Sequence, residues 1–413
     1  MKIAVIAPTE IPARRANTVQ VMKMTQAFVS NSHETRLASP IASPAVTTGN
    51  EIERTSPGHH WDDLARHYGL QHQFLIQWFP ARSYLRRYDY SLSAVRWARR
   101  WGADLVYTRL PQAAALSSSL GMSTILEVHD YPRGRFGTHL FGRFLSGSGS
   151  RRLVVITQAL ANDLLQNFDI PIPSSEARST GEPTTNQGKF MIIAPDGVDL
   201  VRYSELPTPT QARRRLEKTT GLPLPRDRFT VGYTGHLYAG RGTRTLLSLA
   251  ERLPEMTFLL VGGEPDQVNQ LQNQVNERHL TNVVLTGFVP NQELPGYQAA
   301  CEVLLMPYQK HVAASSGGDI SRYLSPMKLF EYMANERAIL SSDLPVLGEI
   351  LNKDNAVLLP ADDINAWVGA LQNLQLNPDH RQKLAEQARR DVQCYTWKAR
   401  AGHILEGINS VKY

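Results

Sequence analysis

Residues 229–261 read FTVGYTGHLYAGRGTRTLLSLAERLPEMTFLLV, and this stretch decides the fold class. An apolar run over 229–234 is followed by a glycine-rich loop, by helical spacing over 243–252 and by a second apolar run over 256–261. Short apolar runs that alternate with helical segments predict a βαβ unit with parallel strands. The loop follows the carboxyl end of the first strand, which is where parallel sheets bind ligands.

The same alternation continues to the end of the chain. Further strands are predicted at 283–285, 303–306, 337–340 and 356–359, and helices at 265–277, 292–300, 325–334, 345–351, 363–375, 378–393 and 397–410. In the first half, strands are predicted at 2–7, 104–107, 124–128, 153–156 and 190–194, and helices at 18–30, 112–119, 138–145 and 158–167. Helical spacing is also found over 61–78 and 90–101, whereas 33–60 gives only weak strand signals. We therefore predict an α/β protein with two doubly wound parallel sheets.

The length of 413 residues exceeds what a single core usually holds, so we predict two domains. They comprise residues 1–200 and 201–395, followed by a terminal helix over 396–413. Residues 171–188 have no periodicity and few apolar side chains, which predicts a mobile surface insertion.

The composition is that of a globular protein. Cys301 and Cys394 share no metal-ligand spacing and form no disulfide framework, which favours a reducing compartment. No run approaches eighteen apolar residues, and the apolar run after Met1 is too short for a signal peptide. We therefore expect a soluble cytoplasmic protein that uses no metal or other cofactor.

Positive charge is concentrated in the first half. Residues 1–200 hold 21 Lys and Arg against 16 Asp and Glu, whereas residues 201–413 hold 23 against 22. Six arginines lie between Arg82 and Arg100, interleaved with aromatic residues. This pattern fits a surface attracted to anionic lipid or nucleic acid, and it also fits a solvated helix face.

Residues 325–334 read SPMKLFEYMA and predict a helix whose start faces an anionic ligand. Ser325 is suited to cap the helix, and Pro326 suits its first position. A helix start has unpaired N–H groups and positive dipole, which favour phosphate. Glu331, within the next turn, can accept hydrogen bonds from hydroxyl groups, such as those of a ribose. An ordinary capped amphipathic helix fits these ten residues equally well.

The loop at 235–242 combines three glycines with His236 and Arg241, a pattern that suits a phosphate-binding turn. Arg241 is the stronger candidate because it is always charged and can contact two oxygens. His129 follows a first-half strand, where a structural histidine is a common alternative. The turn at 287–289 follows another strand, and its backbone could bind a base edge or only end the strand.

In order, these motifs resemble those of the retaining glycosyltransferases of family 4. The resemblance covers nearly the whole chain and includes the segments 16–24, 129–130, 193–199, 231–237, 241–242, 261–263, 287–289, 303–308, 325–334 and 341–345. It implies the GT-B fold, in which two Rossmann-like domains face one another across a cleft and a C-terminal helix crosses back to the first domain. It also implies transfer of a sugar from a nucleoside-diphosphate sugar to a hydroxyl group, with retention of configuration.

The resemblance assigns site residues by position. The catalytic candidates are His129, Arg241 and Lys328, and the donor-binding candidates are Gly235, His236, Gly287, Phe288, Val289, Asp319, Tyr323, Leu324, Ser325, Pro326, Met327 and Glu331. His129 would contact the donor sugar from the first domain, while the cationic groups would stabilise the departing diphosphate. By resemblance no metal is required.

Three departures from the family pattern concern the donor site. The family has two glutamates separated by seven residues, of which Glu331 matches the second, while Tyr323 occupies the place of the first. Asp319 is a candidate substitute because flexible glycines precede it. His236 stands where many members have arginine, and Arg241 stands where many have lysine.

The partners expected are a nucleotide sugar and a saccharide, lipid-linked or small-molecule acceptor, and no nucleic-acid motif is present. Base, sugar and acceptor stay open. Alternatives to the transferase are a nucleotide-binding GT-B protein without activity and a related epimerase or hydrolase. Peripheral association with an anionic membrane is a further hypothesis.

Overall fold

The computed structural model describes residues 1–42, 61–170, 190–205, 207–313 and 318–408. The chain divides into two compact units, Met1–Pro195 with Trp397–Tyr413, and Asp196–Thr396. The predicted mobile insertion at 171–188 lies outside the described residues.

The first unit contains a seven-stranded parallel sheet in the order β3-β2-β1-β4-β5-β6-β7. Its strands are β1 (Lys2–Ile6), β2 (Glu34–Ala42), β3 (Leu75–Ala81), β4 (Leu105–Thr108), β5 (Thr124–Val128), β6 (Ser150–Val155) and β7 (Met191–Ile193). Its helices are α1 (Ala16–Ser30), α2 (Trp61–Tyr68), α3 (Tyr88–Trp101), α4 (Pro111–Ser119), α5 (Gly134–Leu145), α6 (Gln158–Asn167) and, at the end of the chain, α14 (Trp397–Leu405).

The second unit contains a six-stranded parallel sheet in the order β10-β9-β8-β11-β12-β13. Its strands are β8 (Thr230–Thr234), β9 (Thr257–Val261), β10 (Val283–Gly287), β11 (Val303–Met306), β12 (Ala338–Ser342) and β13 (Val357–Leu359). Its helices are α7 (Pro209–Thr220), α8 (Thr243–Arg252), α9 (Pro265–Glu277), α10 (Leu294–Ala299), α11 (Met327–Ala334), α12 (Ile364–Leu376) and α13 (Pro378–Asp391).

Central strands are buried on both faces, as expected when helices cover a parallel sheet. Every residue of β4, β8, β9, β11 and β12 is buried. Two apolar cores flank the second sheet, one of them around Phe330 and Tyr332 and the other around Trp367. The prediction of two doubly wound parallel sheets is confirmed.

The sequence-based prediction was wrong at the edge of the first sheet. The spacing over 61–78 predicted a single helical segment, but α2 ends at Tyr68 and β3 begins at Leu75. The second strand, β2, lies within the stretch that gave only weak strand signals. It buries Thr35 and Ser39 beside Leu37, so polar residues mask its buried character in the sequence.

The units divide after Pro195 and before Trp397, whereas the sequence predicted divisions after residues 200 and 395. The backbone accounts for the first difference, because Val198 donates its N–H to the Tyr395 carbonyl at 2.9 Å within the second unit. In the first unit, Asn31 Nδ2 donates to the Lys398 carbonyl at 3.0 Å. None of the helices that the structure describes is long and apolar enough to span a bilayer.

Candidate functional site

The candidate site of the second unit lies where the strand order reverses. Strands β8 and β11 are neighbours at the centre of this sheet, and their connections lead to opposite sides of it. Such a switch point opens a crevice at the carboxyl ends of the strands. The loop at 235–242 follows β8, and Tyr308 follows β11.

Lys328, the second residue of α11, directs its side chain into this region. Its Nζ lies 3.8 Å from the ring centroid of Tyr233 and 5.6 Å from that of Tyr308. The stem is partly exposed, but Nζ is buried and has no hydrogen-bond partner among the described residues. Burial, followed by the charge of Arg241, holds the pKa of Lys328 well below its ordinary value.

Arg241 also contacts Tyr308. Its Nη1 donates to the Tyr308 hydroxyl at 3.2 Å, and the guanidinium carbon lies 5.2 Å from the ring centroid. Nε is buried and has no partner in the described part of the chain. Tyr308 therefore lies near two basic side chains, each with a buried nitrogen that has no hydrogen-bond partner among the described residues.

The glycines of the loop serve different purposes. Gly235 has φ +132°, a conformation that other residues rarely adopt, and a Cβ there would lie 2.8 Å from Lys328 Nζ, so the lysine side chain would have to shift. By contrast, a Cβ at Gly240 or Gly242 would lie 2.1 or 2.0 Å from a carbonyl oxygen of the chain itself. Gly240 and Gly242 therefore accommodate the protein's own backbone.

His236 lies in the same loop and is half-buried. Its ring stacks on that of Tyr238, with centroids 4.8 Å apart and an interplanar angle of 11°. Its carbonyl accepts a hydrogen bond from the Tyr233 hydroxyl at 2.6 Å, which ties the loop to β8.

The start of α11 differs from the prediction. The helix begins at Met327, with Pro326 at the N-cap position and no capping side chain, so the assignment of Ser325 as cap and Pro326 as first helical residue was wrong. The Ser325 hydroxyl instead accepts a hydrogen bond from the Asp196 N–H at 3.3 Å. Met327 and Lys328 thus form the first turn, where intrahelical partners for N–H groups are lacking in any helix.

Glu331, one turn further on, is held by two amide side chains. Its Oε2 accepts from Gln298 Nε2 at 3.2 Å and its Oε1 from Asn291 Nδ2 at 3.5 Å. Gln298 is fully buried and also donates to Thr234 Oγ1 at 3.2 Å, at the end of β8. The carboxylate is therefore fixed in orientation by groups that the sequence analysis did not identify.

The position of the family's first glutamate holds a buried tyrosine. Tyr323 is only 6% exposed, and its ring lies 5.8 Å from the Arg322 guanidinium carbon. Asp319 is exposed and organises its own loop. Its Oδ1 accepts the N–H groups of Val312 and Ser321, both at 2.9 Å, and its Oδ2 lies 2.9 Å from His311 Nδ1. These hydrogen bonds, that of the histidine first, lower the pKa of Asp319.

The remaining donor-binding candidates line the edge of the sheet or its core. Leu324 and Val289 are buried in the core beside α11, whereas Phe288 is half-buried. The carbonyl of Gly287 accepts the N–H of Gly262 at 2.8 Å, which links the ends of β10 and β9.

An open cavity of about 360 Å³ lies beside the loop. Its lining contains no charged side chain and none of the candidates above; it consists of Leu237, Tyr238, Ala239, Thr243, Gln267, Gln270, Leu271, Gln274 and Ala313. This lining therefore offers a diphosphate no cationic side chain.

The first unit has a separate polar cluster at the end of β5. Glu127 is buried, and its Oε1 interacts with His129 Nε2. Arg400, on α14, contacts both carboxylate oxygens at 3.0 and 3.1 Å. Gln20 Nε2 donates to the same carboxylate at 2.6 Å, as does the Tyr107 hydroxyl.

Electrostatics keep this histidine neutral. Burial and the charge of Arg109 outweigh the attraction of Glu127 and lower the pKa of His129 to about 4. Burial alone would raise the pKa of Glu127, but Arg400 and His129 reverse this effect and lower it. Because an ionised carboxylate only accepts, His129 Nε2 carries the proton. The lone pair of Nδ1 can then accept a hydrogen bond from a hydroxyl group.

Sequence reasoning could have found part of this cluster. Glu127 and His129 are two residues apart at a strand end, so they share one side of the strand. Nothing in the sequence signals Arg400, which is 273 residues from Glu127. The same is true of Gln298, whose role depends on contacts with both Thr234 and Glu331.

Comparison with known proteins assigns the fold and one domain. Over 100% of both chains, the structure resembles Anabaena Alr3699/HepE in complex with UDP and glucose, with a TM-score of 0.69 and 16% sequence identity. At that identity the likeness shows the fold alone. The chain has the GT-B fold. Its residues 228–377 match the family described as glycosyl transferases group 1.

Two relatives also carry sugar-transferase names. The chain is 35% identical over 120 residues to the 2-deoxystreptamine glucosyltransferase of Streptomyces kanamyceticus, covering 28% of this chain and 30% of that protein. It is 23% identical over 314 residues to the D-inositol 3-phosphate glycosyltransferase of Xylanimonas cellulosilytica, covering 75% of this chain and 67% of that protein. The first match thus spans about a third of the relative's length.

Proposed function

We propose that the chain is a glycosyltransferase that moves a sugar from a nucleoside-diphosphate sugar to a hydroxyl group with retention of configuration. One observation carries the proposal, namely the buried Lys328 Nζ, which lacks a hydrogen-bond partner in the described part of the chain. An unsatisfied buried amine is costly, and such groups concentrate at functional sites. An anionic ligand would supply the missing acceptor.

The reaction explains why two cations are needed. Cleavage of the bond between the anomeric carbon and the diphosphate leaves negative charge on the phosphate oxygens. Lys328, Arg241 and the first turn of α11 would stabilise that charge in a poorly hydrated site. A bound anion also favours the charged form of Lys328, so the lysine becomes an ammonium group when the diphosphate binds.

The ribose would bind at Glu331. Its carboxylate is held by Gln298 and Asn291 and can accept further hydrogen bonds from hydroxyl groups. Because Gln298 is itself held by hydrogen bonds within the fold, the carboxylate needs little reordering on binding. His129 is the proposed sugar contact in the first unit, through the free lone pair of its neutral imidazole.

The relatives suggest which donor to try first. The Anabaena structure holds UDP and glucose, and the Streptomyces relative is named as a glucosyltransferase. We therefore choose UDP-glucose as the first donor, with other nucleotide sugars as comparisons. A donor at about a hundred times its dissociation constant should add roughly 2.7 kcal/mol to stability, which a thermal-shift screen detects.

The screen becomes specific through a matched pair of variants. Lys328→Met should lose the stabilisation by the best donor, whereas Lys353→Met, at an exposed lysine of the same unit, should keep it. Equal stabilisation of both variants would contradict the assignment of Lys328 as a ligand of the diphosphate.

Mechanism is tested on the product. We propose that no metal is required, because cationic side chains meet the leaving-group charge, so transfer should continue in EDTA. NMR of the first-formed product should show the donor's anomeric configuration. Inversion, or loss of activity in EDTA that a divalent ion restores, would refute this mechanism.

A second candidate is a nucleotide-binding protein without transferase activity. Tyr323 favours it, because a buried tyrosine stands where the resembling family has a glutamate, and Asp319 uses its carboxylate oxygens within its own loop. Nucleotide binding without transfer or hydrolysis, across many donors and acceptors, would support this alternative.

A further inference from the structure

A group of exposed arginines and aromatic residues lies on the first unit, outside both sites described above. We call it the cationic–aromatic patch; it consists of Arg82, Tyr84, Arg86, Arg87, Tyr88, Arg133, Arg135 and Phe136. The sequence placed only the first five of these residues together.

Folding joins two segments to form the patch. The turn that precedes α3 lies beside the start of α5, where the Arg86 guanidinium carbon is 5.6 Å from the Phe136 ring centroid. Gln112, on α4, donates to the Arg86 carbonyl at 3.1 Å and helps to fix the turn. Arg135 is the neighbour of Phe136 and is also exposed.

The aromatic side chains are unusually open to solvent. Tyr84 is 73% exposed, Phe136 66% and Tyr88 45%. Single exposed apolar residues are common, but three rings gathered among arginines form an amphipathic surface. Aromatic rings in such settings bind well where water meets an apolar phase.

Helix α3 extends this surface in one direction. It buries Tyr90 and Ala94 against the sheet, and its opposite face presents Tyr88, Leu92 and Arg96 at successive intervals of four residues. Leu92 is 37% exposed. An aliphatic side chain in line with the aromatic ones gains from contact with hydrocarbon and gains little from stacking on bases.

The charge of the patch is positive. Two carboxylates lie alongside its five arginines. Asp89 accepts the backbone N–H of Arg82 at 2.9 Å, and Asp130 pairs with the Arg133 side chain at 3.4 Å. The arginines exceed the carboxylates by three, which suits a phosphate-rich partner.

We propose that the cationic–aromatic patch binds the surface of an anionic lipid bilayer. The arginines would contact lipid phosphates, while Phe136, Tyr84 and Leu92 would enter the boundary between head groups and acyl chains. A nucleic acid would satisfy the arginines and could stack on the rings, but it offers nothing to Leu92. The observations therefore favour lipid, and this proposal is independent of the chemistry assigned to the second unit.

Co-sedimentation of the full chain with vesicles tests the proposal. The vesicles are phosphatidylcholine with or without 30% phosphatidylglycerol, at about 50 mM and 300 mM salt. We expect binding only to the anionic vesicles, and weaker binding at the higher salt. The double variant Arg86→Gln, Arg135→Gln should bind about 30-fold more weakly, and Phe136→Ser about tenfold more weakly. Circular dichroism checks that each variant is folded.

A matched control removes two exposed positive charges elsewhere. Arg214→Gln with Lys218→Gln, both on α7, lowers the net charge equally and should leave vesicle binding almost unchanged. Equal weakening by this control would mean a general charge effect and would overturn the proposal. So would a lack of binding at low salt, unchanged binding of Phe136→Ser, or tighter binding to single-stranded DNA than to vesicles of equal phosphate content.

Discussion

The two units differ in how their buried ionisable side chains are partnered. In the first unit, Arg400 and Glu127 are both buried, and each finds several partners, so the cluster is satisfied without a ligand. In the second unit, Lys328 and Arg241 are basic side chains that each have one buried nitrogen without a hydrogen-bond partner in the described chain. The contrast teaches that buried polar groups with all their partners support a structure, whereas buried nitrogens without a partner indicate a binding site.

The largest expected effect is on stability. Arg400→Ala should destabilise the first unit by about 3–5 kcal/mol, because it leaves the Glu127 carboxylate buried without its main partner. Lys328→Met should instead stabilise the ligand-free second unit by about 1–3 kcal/mol, since it removes an unsatisfied group. Urea unfolding measures both effects.

Tryptophan fluorescence shows whether the loss of stability in Arg400→Ala lies in the first unit. Five of the six tryptophans belong to the first unit, so the Arg400→Ala change should be visible in that signal. Lys353→Met is the control for the second variant. Loss of stability in Lys328→Met would break the comparison, because it would show that the lysine supports the fold.

The next effect is on turnover. Arg241→Ala should lower kcat by about 10²–10³-fold, which is typical when a group that meets transition-state charge is removed. Affinity for the nucleoside diphosphate should fall less. Arg244→Ala, at an exposed arginine on α8, serves as the control and should retain full activity. A loss of affinity with unchanged kcat would show that Arg241 binds substrate and transition state uniformly.

A smaller effect concerns the ribose site. Glu331→Ala should weaken donor binding by about 1–3 kcal/mol through loss of a charged acceptor, with the fold intact. Isothermal titration with the donor and with a 2′,3′-dideoxy analogue separates ribose contacts from the rest. The analogue should bind the variant and the parent chain equally. Glu277→Ala, at an exposed position, should change neither affinity.

The smallest effect is the pH dependence of the first unit. The pKa of His129 is about 4 in the folded chain and about 6.5 when unfolded, so the unfolded chain binds more protons between these values. Stability should therefore fall as pH drops from 6.5 towards 4, with a slope of at most about 1.4 kcal/mol per pH unit. The lowered pKa of Glu127 acts in the same direction at lower pH.

Replacement of His129 measures its contribution to the change of stability with pH. His129→Asn should flatten the change in urea midpoint between pH 6.5 and 5, while other histidines continue to titrate. An unchanged slope would mean that folding does not lower the pKa of His129, which would contradict its proposed role as a neutral hydrogen-bond acceptor.

The sequence predicts the fold well because strands that are buried on both faces consist of runs of apolar residues, as in 229–261. Prediction from the sequence fails where a buried strand also contains polar side chains, such as Ser39 in β2. It also fails at α11, where the Ser325 hydroxyl takes a partner from a distant segment of the chain. Local capping rules cannot anticipate such a tertiary hydrogen bond.

The candidate site shows the same division. Lys328, Arg241 and Glu331 could be predicted because they stand in short motifs beside glycines and helix starts. The groups that position them could not, because Gln298 and Tyr308 act through contacts across several elements. Arg400 meets Glu127 only because α14 joins the first unit.

The central claim is that Lys328 binds the diphosphate of the donor. The most direct test is whether the protein takes up protons when it binds a nucleoside diphosphate. Isothermal titration uses the nucleoside diphosphate that stabilises the chain most, in two buffers of different ionisation enthalpy between pH 7 and 9. Because burial and Arg241 lower the pKa of Lys328 in the free chain, the parent should take up protons on binding, and Lys328→Met should take up fewer and bind more weakly. Binding without proton uptake, at equal affinity in both chains, would contradict the account.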